Sequence, residues 1–383
     1  MEDLDLSIAQ FSVFGSLLTF GGMIGAIFSA KSADAFGRKM TLWLAEGFCI
    51  SGWLAIALAK NVIWLDLGRF FVGIGVGLIS YVIPVYIAEI TPKNVRGTFT
   101  FSNQLLQNCG LATVYYLGNF MAWRTIALIG IIPCLIQFFG LFFIPESPRW
   151  LAREGGDEEC KVVLQKLRGK EANVMKETRE IMIGVGLMLL QQLSGSAGIS
   201  YYAGSIFELA GFPSRIGMTV LSMVVVPKAI LGLILVERWG RRPLLMVSAL
   251  GLCLSCIFLA LSFGLKGVPG FVNFTPTMAF IGVLTFNMMF AAGLGALPWI
   301  IMSEIFPMDM KAVAGSLVAI TNWFTGWIVS YCFNFMLIWS QPGTFSIFAM
   351  ISGLTILFAW CLVPETRGLS LEEIQLPHAN IQS

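Results

Sequence analysis

The sequence predicts an all-α polytopic membrane protein built from two pseudo-repeated helical halves. Three observations carry this. Hydrophobic residues make up 57% of the 383-residue chain and charged residues 12%, with a mean hydropathy of +0.80. Soluble domains carry about 25% charged residues, so a chain this apolar needs lipid to cover its surface. Apolar runs near the ~20 residues that cross a bilayer recur along its whole length. Paired signals also recur at a nearly constant offset. Asp34-Ala35-Phe36-Gly37-Arg38-Lys39 returns as Glu237-Arg238-Trp239-Gly240-Arg241-Arg242, 203 residues on. Pro84 to Glu89, closing at Arg96-Gly97, returns as Pro298 to Glu304, closing at Lys311, with 215 residues from Glu89 to Glu304. Pro145-Glu146-Ser147-Pro148-Arg149 returns as Pro364-Glu365-Thr366-Arg367-Gly368, 219 residues on. Three signals in the same order indicate an internal duplication, a common architecture among transporters.

The elements follow in order. Residues 1–7 are acidic and lack the basic n-region of a signal peptide. Residues 1–144 form the N-terminal half, with spans at 8–30, 40–60, 63–87, 99–121 and 123–144. The first carries Gly15, Gly21, Gly22 and Gly25, small residues that let helices approach closely. Residues 145–180 are the long polar segment, and Asp157 to Arg179 reads either as one amphipathic helix or as a linker with a helical middle. Residues 181–363 form the C-terminal half, with six spans at 181–205, 216–236, 244–265, 276–302, 312–337 and 344–363, and residues 364–383 form a polar tail. Two spans precede Glu237 but one precedes Asp34, so the repeat predicts a first half lacking its opening helix, and 11 spans in all.

Charge sets the orientation. The 31–39, 88–98, 145–180, 237–243 and 303–311 segments and the tail hold 18 of the 24 Lys and Arg. Basic residues concentrate on the cytosolic side, which predicts a cytosolic C-terminus and an N-terminus on the far side.

Several chemistries are disfavoured by composition. The single His378 lies in the tail, and Cys253-x-x-Cys256 sits mid-span with no second pair, so no metal or cofactor is expected. No nucleophile–base pair occurs in or near a span, which argues against an enzyme. The net charge of +2 does not point to nucleic acid. Three groups remain. Gln104, Gln191, Gln192 and Asn322 are amides inside spans, with Trp299 beside Pro298. Amides both donate and accept, and an aromatic face packs on sugar C–H groups, so the set fits a small neutral polyhydroxylated ligand. Read singly, each amide fits interhelical hydrogen bonding nearly as well. Gly293, Gly295 and Pro298 weaken a helix through glycine's freedom and proline's missing donor, as a hinge or as an ordinary kink. Asp34, Arg38, Glu89, Arg96, Glu146, Arg149, Glu237, Arg241, Arg242, Glu304, Glu365 and Arg367 recur at corresponding helix ends in both halves. Positive-inside bias explains the basic members. Paired acids point to reciprocal ion pairs across the two halves that hold a cytosolic gate closed and break when it opens.

Taken together, Asp34…Gly37-Arg38-Lys39, Arg96-Gly97, Pro145 to Arg149, Gln191-Gln192, Glu237…Gly240-Arg241-Arg242 and Pro364 to Gly368 resemble the sugar porter family of the major facilitator superfamily. The resemblance spans residues 8–375. Ile183 to Met188 and Phe70 to Gly77 are most similar to the plant early-responsive-to-dehydration-like monosaccharide transporters. The resemblance implies the major facilitator fold, a hexose site between two six-helix halves, and rocking between outward- and inward-facing states. It places Gln104, Gln191, Gln192, Trp299 and Asn322 at sugar-touching positions. It also marks departures. The opening helix is absent and the 145–180 insert is short. Ala197 stands where a sugar-binding Asn is common, and Val225 where a polar residue is common. Proton-coupled members carry their titrating acid on the first helix, so facilitated diffusion in the plasma or vacuolar membrane is expected. The rival readings are a proton-coupled symporter, a non-transporting sugar sensor, and an inactive truncated paralogue.

Overall fold

The computed structural model describes residues 7–90, 96–147, 174–268, 270–305 and 311–365. Among these the regular structure is helical, with no strand. The helices are α1 (Ile8–Phe36), α2 (Arg38–Ala57), α3 (Val62–Ile90), α4 (Arg96–Leu117), α5 (Trp123–Gly140), α6 (Val174–Leu193), α7 (Ser196–Tyr201), α8 (Ala203–Ala210), α9 (Ser214–Arg238), α10 (Arg241–Gly264), α11 (Thr275–Met289), α12 (Leu297–Ile305), α13 (Lys311–Trp339) and α14 (Gln341–Leu362). Most of the amphipathic helix expected over Asp157–Arg179 lies outside the described residues, as do Arg149 and Arg367.

Nine spans among the described residues are long and apolar enough to cross a membrane: Ile8–Phe36, Arg38–Ala57, Val62–Ile87, Trp123–Gly140, Ile181–Tyr201, Ser214–Val236, Arg241–Gly264, Thr275–Met302 and Gln341–Leu362. The sequence predicts two more crossings, on α4 and α13, and both are helices of sufficient length, with 22 and 29 residues. In α4 the polar run Asn103, Gln104, Gln107 and Asn108 dilutes the apolar stretch.

The chain divides into two compact units. The first comprises residues 1–104 and 122–179, the second residues 105–121 and 180–383. In the first unit, glycines set how closely helices approach. A Cβ on Gly21 of α1 would meet the Phe70 carbonyl and lie 3.1 Å from Gly73 Cα, and one on Gly77 of α3 would lie 2.9 Å from Gly25 Cα. The small-residue stripe read in the first span is therefore matched by one on α3, and the two backbones touch. Gly52 of α2 and Gly68 of α3 form a second such contact, each blocking a Cβ on the other at 2.7 Å. Around these contacts Phe14, Ile56, Leu65 and Val72 fill one core, and Ala33, Leu42, Val82 and Leu141 another.

In the second unit α10 packs along α14, with Phe263 and Phe345 stacked at 5.5 Å. The span Ile181–Tyr201 is not one continuous helix. Gly195 interrupts it at φ +92°, and a Cβ there would lie 2.5 Å from the Phe348 ring, so both conformation and space require glycine. The span Thr275–Met302 is broken too. Between α11 and α12 lies one turn of π-helix, Phe290–Leu294.

Candidate functional site

The polar groups of the second unit converge around these two interruptions. Ser194 and Gly195 end α6 just after Gln191 and Gln192. Gln192 donates from Nε2 to Asn322 Oδ1 of α13 at 2.7 Å, and its Oε1 accepts from Ser196 Oγ at 3.1 Å. The structure therefore joins two predicted residues, Gln192 and Asn322, and adds one the sequence reading missed. Ser196 lies beside the Gln-Gln pair, and its hydroxyl reaches both Gln192 Oε1 and, at 3.2 Å, the Gln191 carbonyl. That adjacency was its only signal, because a serine in an apolar helix usually bonds back to its own backbone. Gln192 and Asn322 are half-buried, so the cluster retains an open side.

Gln191 is placed differently. It is buried, and its Nε2 donates to the carbonyls of Leu294 at 2.7 Å and Gly295 at 3.1 Å. Those carbonyls belong to the broken stretch ahead of α12. Gln191 Oε1 is buried with no hydrogen-bond partner among the described residues. A buried acceptor left open in an apolar surround costs free energy unless a ligand or water donates to it. Trp299, in the first turn of α12, is 42% exposed, and its indole stands four residues after the Gly295 carbonyl that Gln191 holds. Gln104 lies on α4, its side chain outside the described residues. Ala197 and Val225 are buried and apolar. Mid-span Lys228 has a partner, its Nζ lying 3.3 Å from Asn287 Oδ1 on α11.

The interruption itself contains Gly293 and Gly295. Pro298 occupies the second position of α12, where a missing N–H is tolerated. Gly293 lies against α10, where a Cβ would be 2.5 Å from Ser248 Cβ and 3.0 Å from the Leu244 carbonyl.

The recurrent charges build two matching arrangements, one in each unit. Gly37 and Gly240 precede α2 and α10 and supply no side-chain cap. A glutamate from the following repeat signal does so instead. Glu146 accepts from the backbone N–H of Arg38 at 2.9 Å and of Lys39 at 3.1 Å. Glu365 accepts from Arg241 at 2.9 Å and Arg242 at 3.1 Å. Each carboxylate satisfies orphan donors and faces the positive end of the helix dipole. The arginines match as well: Arg38 reaches the carbonyl of Ala33, and Arg241 that of Val236, each five residues back. Arg38 pairs with Asp34 at 3.4 Å, and Arg241 pairs with Glu304 at 3.0 Å. Each of these pairs joins residues of one unit. The side chains of Glu89, Arg96 and Glu237 lie outside the described residues.

A family model described as "Sugar (and other) transporter" matches residues 2–376. The chain is 68% identical to "Sugar transporter ERD6-like 12" of Arabidopsis thaliana, covering 100% of this chain and 88% of the relative. It is 54% identical to "Sugar transporter ESL1" of the same plant, over 98% of this chain and 86% of that one. The alignment to the first relative runs over 408 positions, more than the 383 residues here, so that protein holds residues within the aligned stretch with no counterpart in this chain. Among solved structures, a D-xylose–proton symporter superposes with a TM-score of 0.80 at 26% identity, covering 96% of this chain and 91% of the other. An inward-open xylose transporter XylE from E. coli gives 0.78 at 26%, covering 97% and 90%. With a family model matched over nearly its whole length, this chain belongs to the sugar transporter family and has the major facilitator fold of a multi-pass membrane protein.

Proposed function

We propose that this protein carries a monosaccharide across a membrane by alternating access, with the amides of the second unit as its sugar contacts. The observation that carries this is the buried, unpartnered Oε1 of Gln191 beside the Gln192–Asn322–Ser196 cluster. A sugar hydroxyl donates to such an acceptor, and a neutral ligand brings no charge to desolvate. The relatives are named sugar transporters, which are not enzymes, and the solved neighbours are named for xylose. Gln104 and Trp299 complete the proposed contact set. Gly293, Gly295 and Pro298 form the proposed hinge. The charged residues at the helix ends form the proposed cytosolic gate, held within each unit by the ion pairs and caps described above.

The orientation follows from charge: the basic segments and the C-terminus face the cytosol, in the plasma or vacuolar membrane. Transport is facilitated diffusion in this reading, with net flux set by the sugar gradient. A second reading, proton symport, has one observation in its favour. Glu46 of α2 is 2% exposed and its Oε2 has no hydrogen-bond partner among the described residues, which is a candidate proton carrier. Uptake of a labelled hexose into proteoliposomes under an imposed pH gradient separates the two. Facilitated diffusion predicts that internal sugar rises to the external concentration with or without a protonophore. Accumulation beyond it that collapses with the protonophore establishes symport. Saturable binding with no uptake establishes a sensor.

A further inference from the structure

The broken span loses backbone hydrogen bonds at two places, and a side chain from a different neighbouring helix replaces each. The first loss comes from the π-turn. Gly295 N–H donates to the Phe290 carbonyl at 2.7 Å, a rung five residues long. This occupies the acceptor that Leu294 N–H uses in a regular α-helix. Ser248 of α10 takes over. Leu294 N–H donates to Ser248 Oγ at 2.9 Å, and the Ser248 hydroxyl donates to the Met289 carbonyl at 2.7 Å. One hydroxyl thus ties both ends of the π-turn. Gly293 permits it, because any side chain there would run into Ser248 Cβ at 2.5 Å. The second loss comes from Pro298, which has no N–H. The Leu294 carbonyl, four residues earlier, has no α-helical donor, and Gln191 Nε2 supplies one at 2.7 Å.

We infer that Ser248 is a positioning residue for transport: with Gln191 it clamps the break ahead of α12 and sets how readily that break opens. Among the described residues the Ser248 hydroxyl bonds to Leu294 and Met289, at the two ends of the π-turn, and to none of the residues proposed to hold sugar. Gln191 joins the break to the proposed ligand site, because the same amide that caps Leu294 offers its other end, Oε1, to a sugar hydroxyl. A helix held by two side-chain bonds in place of backbone rungs has a low-cost route to a second geometry, since releasing either bond frees a backbone group that a shifted register re-pairs. The functional part of this inference rests on the transport reading. The clamp itself does not.

The test is Ser248→Ala in lipid nanodiscs, read by amide hydrogen exchange over 289–299, by hexose binding, and by uptake in proteoliposomes. Loss of one hydrogen bond predicts exchange rising roughly three- to tenfold within that stretch and not elsewhere. Hexose affinity is expected to stay within about twofold of the parent, while maximal uptake per transporter changes several-fold, as for a shifted conformational equilibrium. Unchanged exchange, or an even rise over the whole chain, overturns the clamp. Localised exchange with unaltered uptake overturns the positioning role. If the parent protein carries no sugar, the transport reading fails, and the exchange result still decides the clamp. Should Ser248→Ala not accumulate, Pro298→Ala tests the other side. A restored N–H gives the Leu294 carbonyl its own donor, so exchange over the break should slow; equal or faster exchange overturns the inference.

Discussion

Gln191 and Gln192 are neighbours of the same type, and a sequence reading treats them alike. Their hydrogen bonds separate them. Gln191 supplies a donor that Pro298 cannot, so removing it strands the Leu294 carbonyl in an apolar setting. A buried polar group left unpaired costs about 1–3 kcal/mol. Among the described residues the Gln192 side chain bonds to other side chains, half-buried Asn322 and buried Ser196. Gln192→Ala is therefore expected to leave protein level nearly intact and to weaken hexose affinity a few-fold to about tenfold, the equivalent of roughly 0.5–1.5 kcal/mol. Gln191→Ala is expected to lower the yield of folded protein as well. Ligand-binding isotherms and size-exclusion recovery, measured on both variants, distinguish the two roles. Equal losses of affinity and yield in both would mean that the amides serve only to join helices. The type of these residues was legible in the sequence, because amides are rare in spans. Their division of labour was not, since it depends on which carbonyl Pro298 orphans 103 residues away. Ser248 gave no sequence signal, because a lone serine on an apolar helix is ordinary.

At the scale of elements, the duplication read from motif offsets has a physical counterpart. Glu146 caps α2 and Glu365 caps α10 in the same manner, each at a helix start where glycine leaves donors open. The repeat was legible because both halves need the same cap. Its partner was not, because nothing in the spacing ties Glu365 to a helix beginning 124 residues earlier. Glu365→Ala should cost about 0.5–2 kcal/mol of local stability at the start of α10, seen as faster exchange in residues 241–244. The Arg241–Glu304 pair is partly exposed, with side chains at 21% and 19%. Pairs in such settings contribute under about 1 kcal/mol to stability. Glu304→Gln should therefore leave folding intact and shift the balance of inward- and outward-facing states, measured as changed labelling of a cysteine placed near residue 304. Unchanged labelling and unchanged flux would remove Glu304 from the gate. Breaks in two spans were foreseen unevenly. Gly293, Gly295 and Pro298 announced the one before α12, whereas the one at Gly195 shows itself through a positive φ and contact with Phe348.

For the whole molecule, fold class was readable from composition and repeat, since a chain with 57% hydrophobic residues in span-length runs admits few architectures. The count of crossings was less so. Nine spans qualify by apolarity among the described residues, and α4 owes its weak signal to the polar run that includes Gln104. The proposed 11 crossings, with α4 and α13 included, would put the two ends of the chain on opposite faces. Epitope tags at the two ends, probed in sealed vesicles, are expected to show opposite protease accessibility; accessibility on one face would overturn an odd number of crossings. The central claim is that one sugar site is exposed alternately to the two sides. Counterflow tests it most directly. Proteoliposomes are preloaded with unlabelled hexose and diluted into a trace of labelled hexose. Alternating access predicts that label rises transiently above its equilibrium level, because the unlabelled sugar inside competes for the exit of label. Label that enters at the same rate as in protein-free vesicles, or that approaches equilibrium without an overshoot, would contradict it.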